Sequence, residues 1–181
     1  KVIDEAVSIG TKSIRICYIN EPLIRQDIDQ FIKYAVDAGI LDVLITTNGT
    51  LLTKQMSRKL IEAGLTKLNV SLDAVTNETY DKIRVGGNLD VTVQNIHDFL
   101  DIRKEMNKKI PKIRLTFVTS KINFHEYDEF VSNWKDKVDS LGIQHLQNPF
   151  GEGRFEDEKR SEDIILKRSP IPEKFHCSEP F

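Results

Sequence analysis

Apolar positions in this chain switch repeatedly between a two-residue and a three-to-four-residue period. Residues 13–19 alternate β-branched and apolar side chains with Arg15, the pattern of a buried strand. The run stops at Asn20-Glu21-Pro22, because Pro22 cannot donate to a ladder and disfavours a helical Glu21. Helical spacing takes over in 25–38, with Ile28, Phe31, Ile32, Ala35 and Val36 on one stripe and Gly39 as the stop. A second strand, 42–47, closes at Asn48-Gly49. Thr53 is placed to cap a third helix that turns Met56, Leu60 and Ile61 inward and ends at Gly64. A third strand, 67–72, runs straight into Asp73.

A short helix is predicted over 76–83, then a turn at Val85-Gly86-Gly87-Asn88. A longer helix follows, with Leu89, Val93, Ile96 and Leu100 on one face, and Pro111 breaks the pattern. The fourth strand is 112–119. Asn123 with Glu126 three residues on matches a capping box. It opens a helix expected to bury Tyr127, Phe130, Val131, Trp134, Val138 and Leu141, with Gly142 as its stop and 143–147 as a fifth strand. The first nine residues have helical spacing but no cap, so the chain is expected to begin inside a helix, with an N-terminal portion missing. Beyond Pro149 the sequence turns polar and charged, with an extended stretch at Ser169-Pro170-Ile171-Pro172. The predicted division is a core over 1–150 and a linker leading into a second module over 151–181.

Strand and helix alternate at about 30 residues per unit. That rhythm implies parallel strands joined by right-handed crossovers. It fits an open doubly wound sheet or part of a barrel, and periodicity alone does not choose.

Composition narrows the function classes. The chain has 181 residues, 39% hydrophobic and 30% charged, enough for one domain with a substantial core. A net charge of -2 supplies no bulk attraction to nucleic acid or to an anionic membrane. No apolar run reaches the length of a membrane span or resembles a signal peptide. Two cysteines, Cys17 and Cys177, make no disulfide framework, and a cytoplasmic setting is expected.

The polar residues gather at corresponding places: Asn20 and Glu21 after strand one, Thr47 and Asn48 after strand two, Ser71 and Asp73 at strand three, Thr119 and Ser120 at strand four, Gln147 and Asn148 at strand five. In a parallel sheet these C-terminal ends share one rim, where α/β enzymes usually place their chemistry. Each group alone is also ordinary turn chemistry, and Glu21 alone also suits a plain loop carboxylate. Five together point to a polar ligand site. His97, His125, His145 and His176 lack metal-ligand spacing, and Gly86-Gly87 follows no strand and lacks the lysine of a phosphate loop.

These stretches resemble the radical S-adenosylmethionine (radical SAM) enzymes. Asn20-Glu21-Pro22 is similar to their Gly-Gly-Glu-Pro motif. Ile45-Thr-Thr-Asn-Gly-Thr-Leu-Leu and Leu68-Asn-Val-Ser-Leu-Asp73 resemble the next two strand ends. Asp81-Lys-Ile-Arg-Val-Gly-Gly-Asn88, followed by Asn95-Ile96, is similar to a frequent stretch after them, and His176-Cys-Ser-Glu-Pro-Phe181 resembles the opening of a SPASM domain. The resemblance implies an α/β fold, a partial (β/α)6 TIM-like barrel of parallel strands, here with its first strand and cluster loop missing. It implies SAM and [4Fe–4S] clusters in the parent protein. In that family a Cys-x3-Cys-x2-Cys loop holds the cluster whose open iron binds SAM, and a 5′-deoxyadenosyl radical then abstracts a substrate hydrogen.

Carried over by position, Glu21 and the backbone near Asn20 and Pro22 would hold the SAM ammonium. Asn48 and Gln147 would lie at the same cofactor rim, and Ser71 and Asp73 near the ribose or substrate. Arg84 would meet the SAM carboxylate or be an ordinary surface arginine. Cys177 would be the first ligand of an auxiliary cluster. The implied partners are a small-molecule or peptide substrate and an electron donor such as flavodoxin or ferredoxin, with no nucleic acid and no membrane. Two departures stand out: Ile19-Asn20 replaces the Gly-Gly pair, and no Cys-x3-Cys-x2-Cys exists in the chain. The expectation is the core of such an enzyme, an oxidoreductase or maturase, with no cofactor bound to this chain alone. A degenerate, cluster-free binding or scaffold protein is the rival.

Overall fold

The computed structural model describes residues 1–16 and 20–145. Lys1–Gln144 pack as one compact unit, and a second unit, His145–Phe181, lies almost wholly outside the described residues. The first unit alternates helix and strand: α1 (Val2–Ser8), β1 (Ser13–Ile16), α2 (Ile28–Asp37), β2 (Asp42–Thr47), α3 (Lys54–Glu62), β3 (Lys67–Ser71), α4 (Asn77–Ile83), α5 (Leu89–Glu105), β4 (Lys112–Thr119), α6 (Tyr127–Trp134) and β5 (Ser140–His145). Short 3₁₀ turns at Pro22–Ile24 and Phe124–Glu126 precede α2 and α6.

The strands form one open sheet in the order β1-β2-β3-β4-β5, and the β1–β2, β2–β3 and β3–β4 pairings are parallel. Sequential strands are therefore neighbours, the order of a barrel sector and not of a doubly wound sheet, whose order reverses at a switch point.

Side-chain alternation divides the sheet into two faces. Val43, Ile45, Leu68, Val70, Ile113, Leu115 and Phe117 are fully buried in one core with Ile32, Ala35, Leu60, Ile96 and Phe99 of the helices. The alternate positions form the inner face, and that face is largely polar: Thr46, Asn69, Ser71, Arg114 and Thr116. Helix starts are fixed by side chains that accept orphan N–H groups. Thr53 accepts from Met56 N, Thr76 from Thr79 N, and Asn88 from Val91 N.

Three local expectations need correction. Phe31 is 40% exposed: the buried face of α2 is Ile28, Ile32 and Ala35, and the Phe31 ring is covered by the Arg25 guanidinium, 4.3 Å away, instead of core. The Asn123–Glu126 capping box does not form, because both side chains are drawn to the β3 rim described below. Gly142 is no helix stop: α6 ends at Trp134, and Gly142 sits inside β5.

Candidate functional site

Parallel strands bring their C-terminal ends to one rim, and buried hydrogen bonds weld that rim in two places. At the β1–β2 end Glu21 is the strut. Its Oε1 accepts from Thr47 Oγ1 at 2.6 Å and from Leu23 N at 3.1 Å, and its Oε2 accepts from Asn48 N at 2.7 Å. The bond to Leu23 also caps the Pro22–Ile24 turn, which buries Pro22 and Leu23. Thr47 Oγ1 accepts in turn from Gly49 N at 3.0 Å, and Asn48 Oδ1 accepts from Thr50 N at 2.9 Å. Asn95 of α5 donates to the carbonyls of Gly49 and Thr50 at 2.9 and 3.0 Å, which closes the loop against the helix layer. Gly49 is needed here: its φ is +79°, and a Cβ would lie 2.9 Å from Val70 Cγ1.

A carboxylate offers about four lone-pair directions. Three on Glu21 are taken, so one acceptor position on Oε2 is left for a ligand. Asn20 beside it is exposed and makes no side-chain hydrogen bond among the described residues.

At the β3–β4 end the strut is Asp73, 3% exposed. Its Oδ1 accepts from Val118 N at 2.8 Å, and its Oδ2 pairs with Arg84 through Nη2 and through Nε at 3.2 Å. Two of the predicted site residues thus neutralise each other. Arg84 stands at the C-terminal end of α4 with a third of its side chain exposed, and its remaining N–H groups face outward from this pair.

Beneath it Asn123, with no exposed surface, uses all four of its hydrogen-bonding positions. Nδ2 donates to Asp73 O at 2.8 Å and Val118 O at 2.9 Å, while Oδ1 accepts from Ser120 N at 2.7 Å and Ser120 Oγ at 3.0 Å. Glu126 accepts from Val75 N at 2.6 Å and from the Thr76 hydroxyl. Burial pushes its carboxyl pKa up, but the hydrogen bonds from Thr76, Thr79 and the Val75 amide outweigh that and hold it below the ordinary value.

Among the other predicted positions, Ser71 ends β3 on the inner face, half-buried, with no hydroxyl hydrogen bond among the described residues. Gln147 and Cys177 lie outside the described residues, as does Cys17. Thr47 was named only as a strand-end residue, Asn95 only within a motif, and Asn123 and Glu126 only as a cap. Their partners lie 26 to 51 positions away in the chain, so no local pattern marks them as rim struts. On the inner face, Thr46 and Asn69 carry no sequence signal beyond their strands and the stretches that resemble the family's strand ends, and Arg114 and Thr116 none beyond their strand.

A family model described as the radical SAM superfamily matches residues 1–105. The chain belongs to the radical SAM superfamily. It is 34% identical over 176 residues to a GTP 3′,8-cyclase of Clostridium botulinum, covering 94% of this chain and 52% of that protein. It is 39% identical over 120 residues to an AdoMet-dependent heme synthase of Methanosarcina barkeri, covering 65% of this chain and 34% of the relative. A probable GTP 3′,8-cyclase of Methanococcus maripaludis strain C5 is 38% identical over 102 residues, 56% of this chain and 34% of the relative. The chain thus spans about a third of the length of the first curated relatives it matches. In three dimensions it resembles Streptococcus suis SuiB, solved bound to S-adenosylmethionine, with a TM-score of 0.70 at 20% identity over 92% of this chain and 37% of that one. The likeness makes the open parallel sheet a sector of the superfamily's partial barrel.

Superfamily membership implies SAM and a [4Fe–4S] cluster in the parent protein. The 181 residues do not fit the cluster: they contain two cysteines, not the three-thiolate loop, and among the described residues no group of histidine, cysteine and acidic side chains could hold a metal. The rim fits SAM better. It offers one open acceptor direction on Glu21, the exposed Asn20 and the Ser71 hydroxyl, which has no hydrogen bond among the described residues. Among the described residues no helix is long and apolar enough to cross a membrane.

Proposed function

We propose that this chain is the SAM-binding barrel core of a radical SAM enzyme whose cluster thiolates come from outside these residues. The observation that supports it most is Glu21: a carboxylate fixed by three donors, with one acceptor direction left at the rim. An ammonium group is the complementary ligand, and a charge-assisted bond to a pre-oriented carboxylate loses little on ordering. In this reading Asn20, Asn48 and Ser71 contact the same ligand, and Asp73 orients Arg84 toward its carboxylate. When bound and joined to a cluster, SAM supplies a 5′-deoxyadenosyl radical for hydrogen abstraction. What these residues do is hold and orient.

The substrate is not assigned by the relatives. Their names span a GTP cyclase and a heme synthase, and neither reaction is carried over. Cys177 is proposed as a ligand of an auxiliary cluster in the parent, where Cys177→Ala should lower iron by up to one cluster and leave the SAM-binding cluster in place.

The test is Glu21→Gln. Gln keeps an acceptor oxygen for Thr47 and Leu23, removes the charge, and puts an amide NH₂ donor where Oε2 accepts from Asn48 N and has its open direction, so both the ligand contact and the Asn48 bond are lost. Losing a charge-assisted bond costs about 1.5–3 kcal/mol, so SAM affinity by calorimetry is expected to fall about tenfold or more. Unchanged affinity in a folded variant would leave Glu21 a strut alone.

A second reading, a cluster-free binding protein, is favoured by one observation, the count of two cysteines. The two readings part on the parent protein. Reconstituted with iron and sulfide and reduced, it yields 5′-deoxyadenosine from SAM in the first and none in the second.

A further inference from the structure

We propose that the cleft between α5 and α6, on the helix side of the sheet, is a second ligand site. It takes a small molecule with an apolar body and one anionic group. The site is separate from the rim where SAM is proposed to sit and does not rest on that reading.

The helix layer is closed on one side of α5 and open on the other. Toward α3, Lys54–Asp98 at 3.4 Å and Arg58–Glu105 at 2.9 Å bridge the two helices. Toward α6 lies a cavity of about 230 Å³. Its apolar lining is Leu72, Ala74, Val75, Leu89 and Val93. Leu72 and Ala74 flank Asp73, so the cavity lies behind the β3 end of the rim. An apolar cavity of ~150 Å³ already takes benzene, so this one has room for a single ring with a short chain.

Trp134 closes one end, and the His97 ring stacks on it with centroids 5.1 Å apart and planes 25° from parallel. Three polar side chains converge there: the His97 imidazole, the Asn133 carboxamide and the Lys137 ammonium. None of the three has a side-chain hydrogen bond among the described residues. Lys137 Nζ lies 5.4 Å from the Trp134 ring centre and pairs with no carboxylate among them. An apolar concavity with a few convergent polar groups is the usual form of a small-molecule site.

Charge fixes the orientation. Lys137 also lines the next cleft along α5, about 400 Å³, together with Arg103, Lys104 and Lys108. Arg103 spends its charge on Asp139, but Lys104 and Lys108 have no ion pair among the described residues. Asp101 is the acid among the residues lining that cleft. The acid lining the apolar cavity is Asp90, two helical turns from His97. The Trp134 end is therefore net positive, and an anionic group belongs there with its apolar body laid toward Val93 and Leu89.

The test titrates the full chain at constant ionic strength and follows fluorescence of Trp134, the chain's one tryptophan. The probes are 3-phenylpropionate, 3-phenylpropylamine, which keeps the body and reverses the charge, and acetate, which has the charge without the body. A saturable change is expected with 3-phenylpropionate, severalfold weaker binding with the amine, and no saturable change with acetate over the same range. Val93→Phe, which fills the cavity, should weaken 3-phenylpropionate at least tenfold. Lys137→Met should weaken it severalfold, since an exposed lysine contributes modestly. Melting curves establish that both variants are folded; if one is not, the other decides. No saturable change with 3-phenylpropionate, binding of the amine at least as tight, or wild-type affinity in the folded variants would overturn the proposal. So would a Trp134 signal that follows protein concentration and not the probe, which would make the cleft a contact between copies of the chain.

Discussion

Asn123 separates a helix cap from a rim strut, and the distinction is measurable. At a cap, aspartate serves as well as asparagine, because only an acceptor oxygen is needed. In this structure half of the work of Asn123 is donation: Nδ2 satisfies the carbonyls of Asp73 and Val118, at 2.8 and 2.9 Å, in a site with no exposed surface. Asn123→Ala leaves those two carbonyls and the Ser120 amide without partners. At about 1 kcal/mol net for each bond, and more for any group left dry, the loss is about 3–4 kcal/mol. A water entering the gap would recover part of it. Asn123→Asp is nearly isosteric but sets a carboxylate oxygen against two carbonyls, so it should cost at least as much as alanine at neutral pH. Urea unfolding followed by Trp134 fluorescence is the assay; Trp134 is the chain's one tryptophan, is 5% exposed, and reports on this unit. A loss for Asn123→Asp below about 1 kcal/mol, with an unchanged m-value, would refute the strut and restore the cap.

The other predictions follow the same struts. Gly49→Ala should destabilise by about 2–4 kcal/mol in the same assay, from the strained left-handed φ plus the contacts with Val70 and Thr92. Asp73→Asn should weaken the hold on Arg84, and a cycle with Arg84→Met is expected to show a coupling of about 1–3 kcal/mol, since Asp73 is buried and Arg84 is a third exposed. Asp139 supplies an acid-limb prediction. Burial raises its pKa, but bonds from Arg103, the Ile113 amide and Lys112 overcome that and bring it from 3.8 down to about 2. A folded pKa below the ordinary value means that the group's contribution, about 1 kcal/mol after screening, is complete above about pH 4 and is lost as pH falls toward about 2. Asp139→Asn should flatten that part of the stability–pH curve, and a curve identical to wild type would sink the assignment.

Strand and helix order was legible because the core face is written in local periodicity: Ile45, Leu68, Leu115 and Ile96 each fall where the spacing puts them. The caps at Thr53 and the stops at Gly39 and Gly64 are equally local. The failures are places where a distant partner overrides a local rule. Asn123 and Glu126 fit a capping box by spacing, yet Asp73, Val75 and Thr76 claim them. Gly142 fits a helix stop by residue type, yet α6 ends at Trp134 and Gly142 lies inside β5. The rim was legible as a row of polar strand ends, but not its pairing. That Glu21 spends two acceptor directions on the β2 end, or that Arg84 closes on Asp73, depends on which strands adjoin, and periodicity left that choice open between an open sheet and a barrel. The inner face went unread because polar residues alternating with core ones look the same whether they face water or a ligand.

The central claim is that SAM sits at the C-terminal rim of this sheet. Its most direct test is to titrate SAM into the ¹⁵N-labelled chain and map the amide shifts. The expected shifts cluster at Asn20, Glu21, Asn48, Gly49, Ser71, Asp73 and Arg84, with the helix layer from Lys54 to Glu62 unmoved. Saturable shifts confined to the helix layer, or none at those seven positions at saturating SAM, would contradict the account.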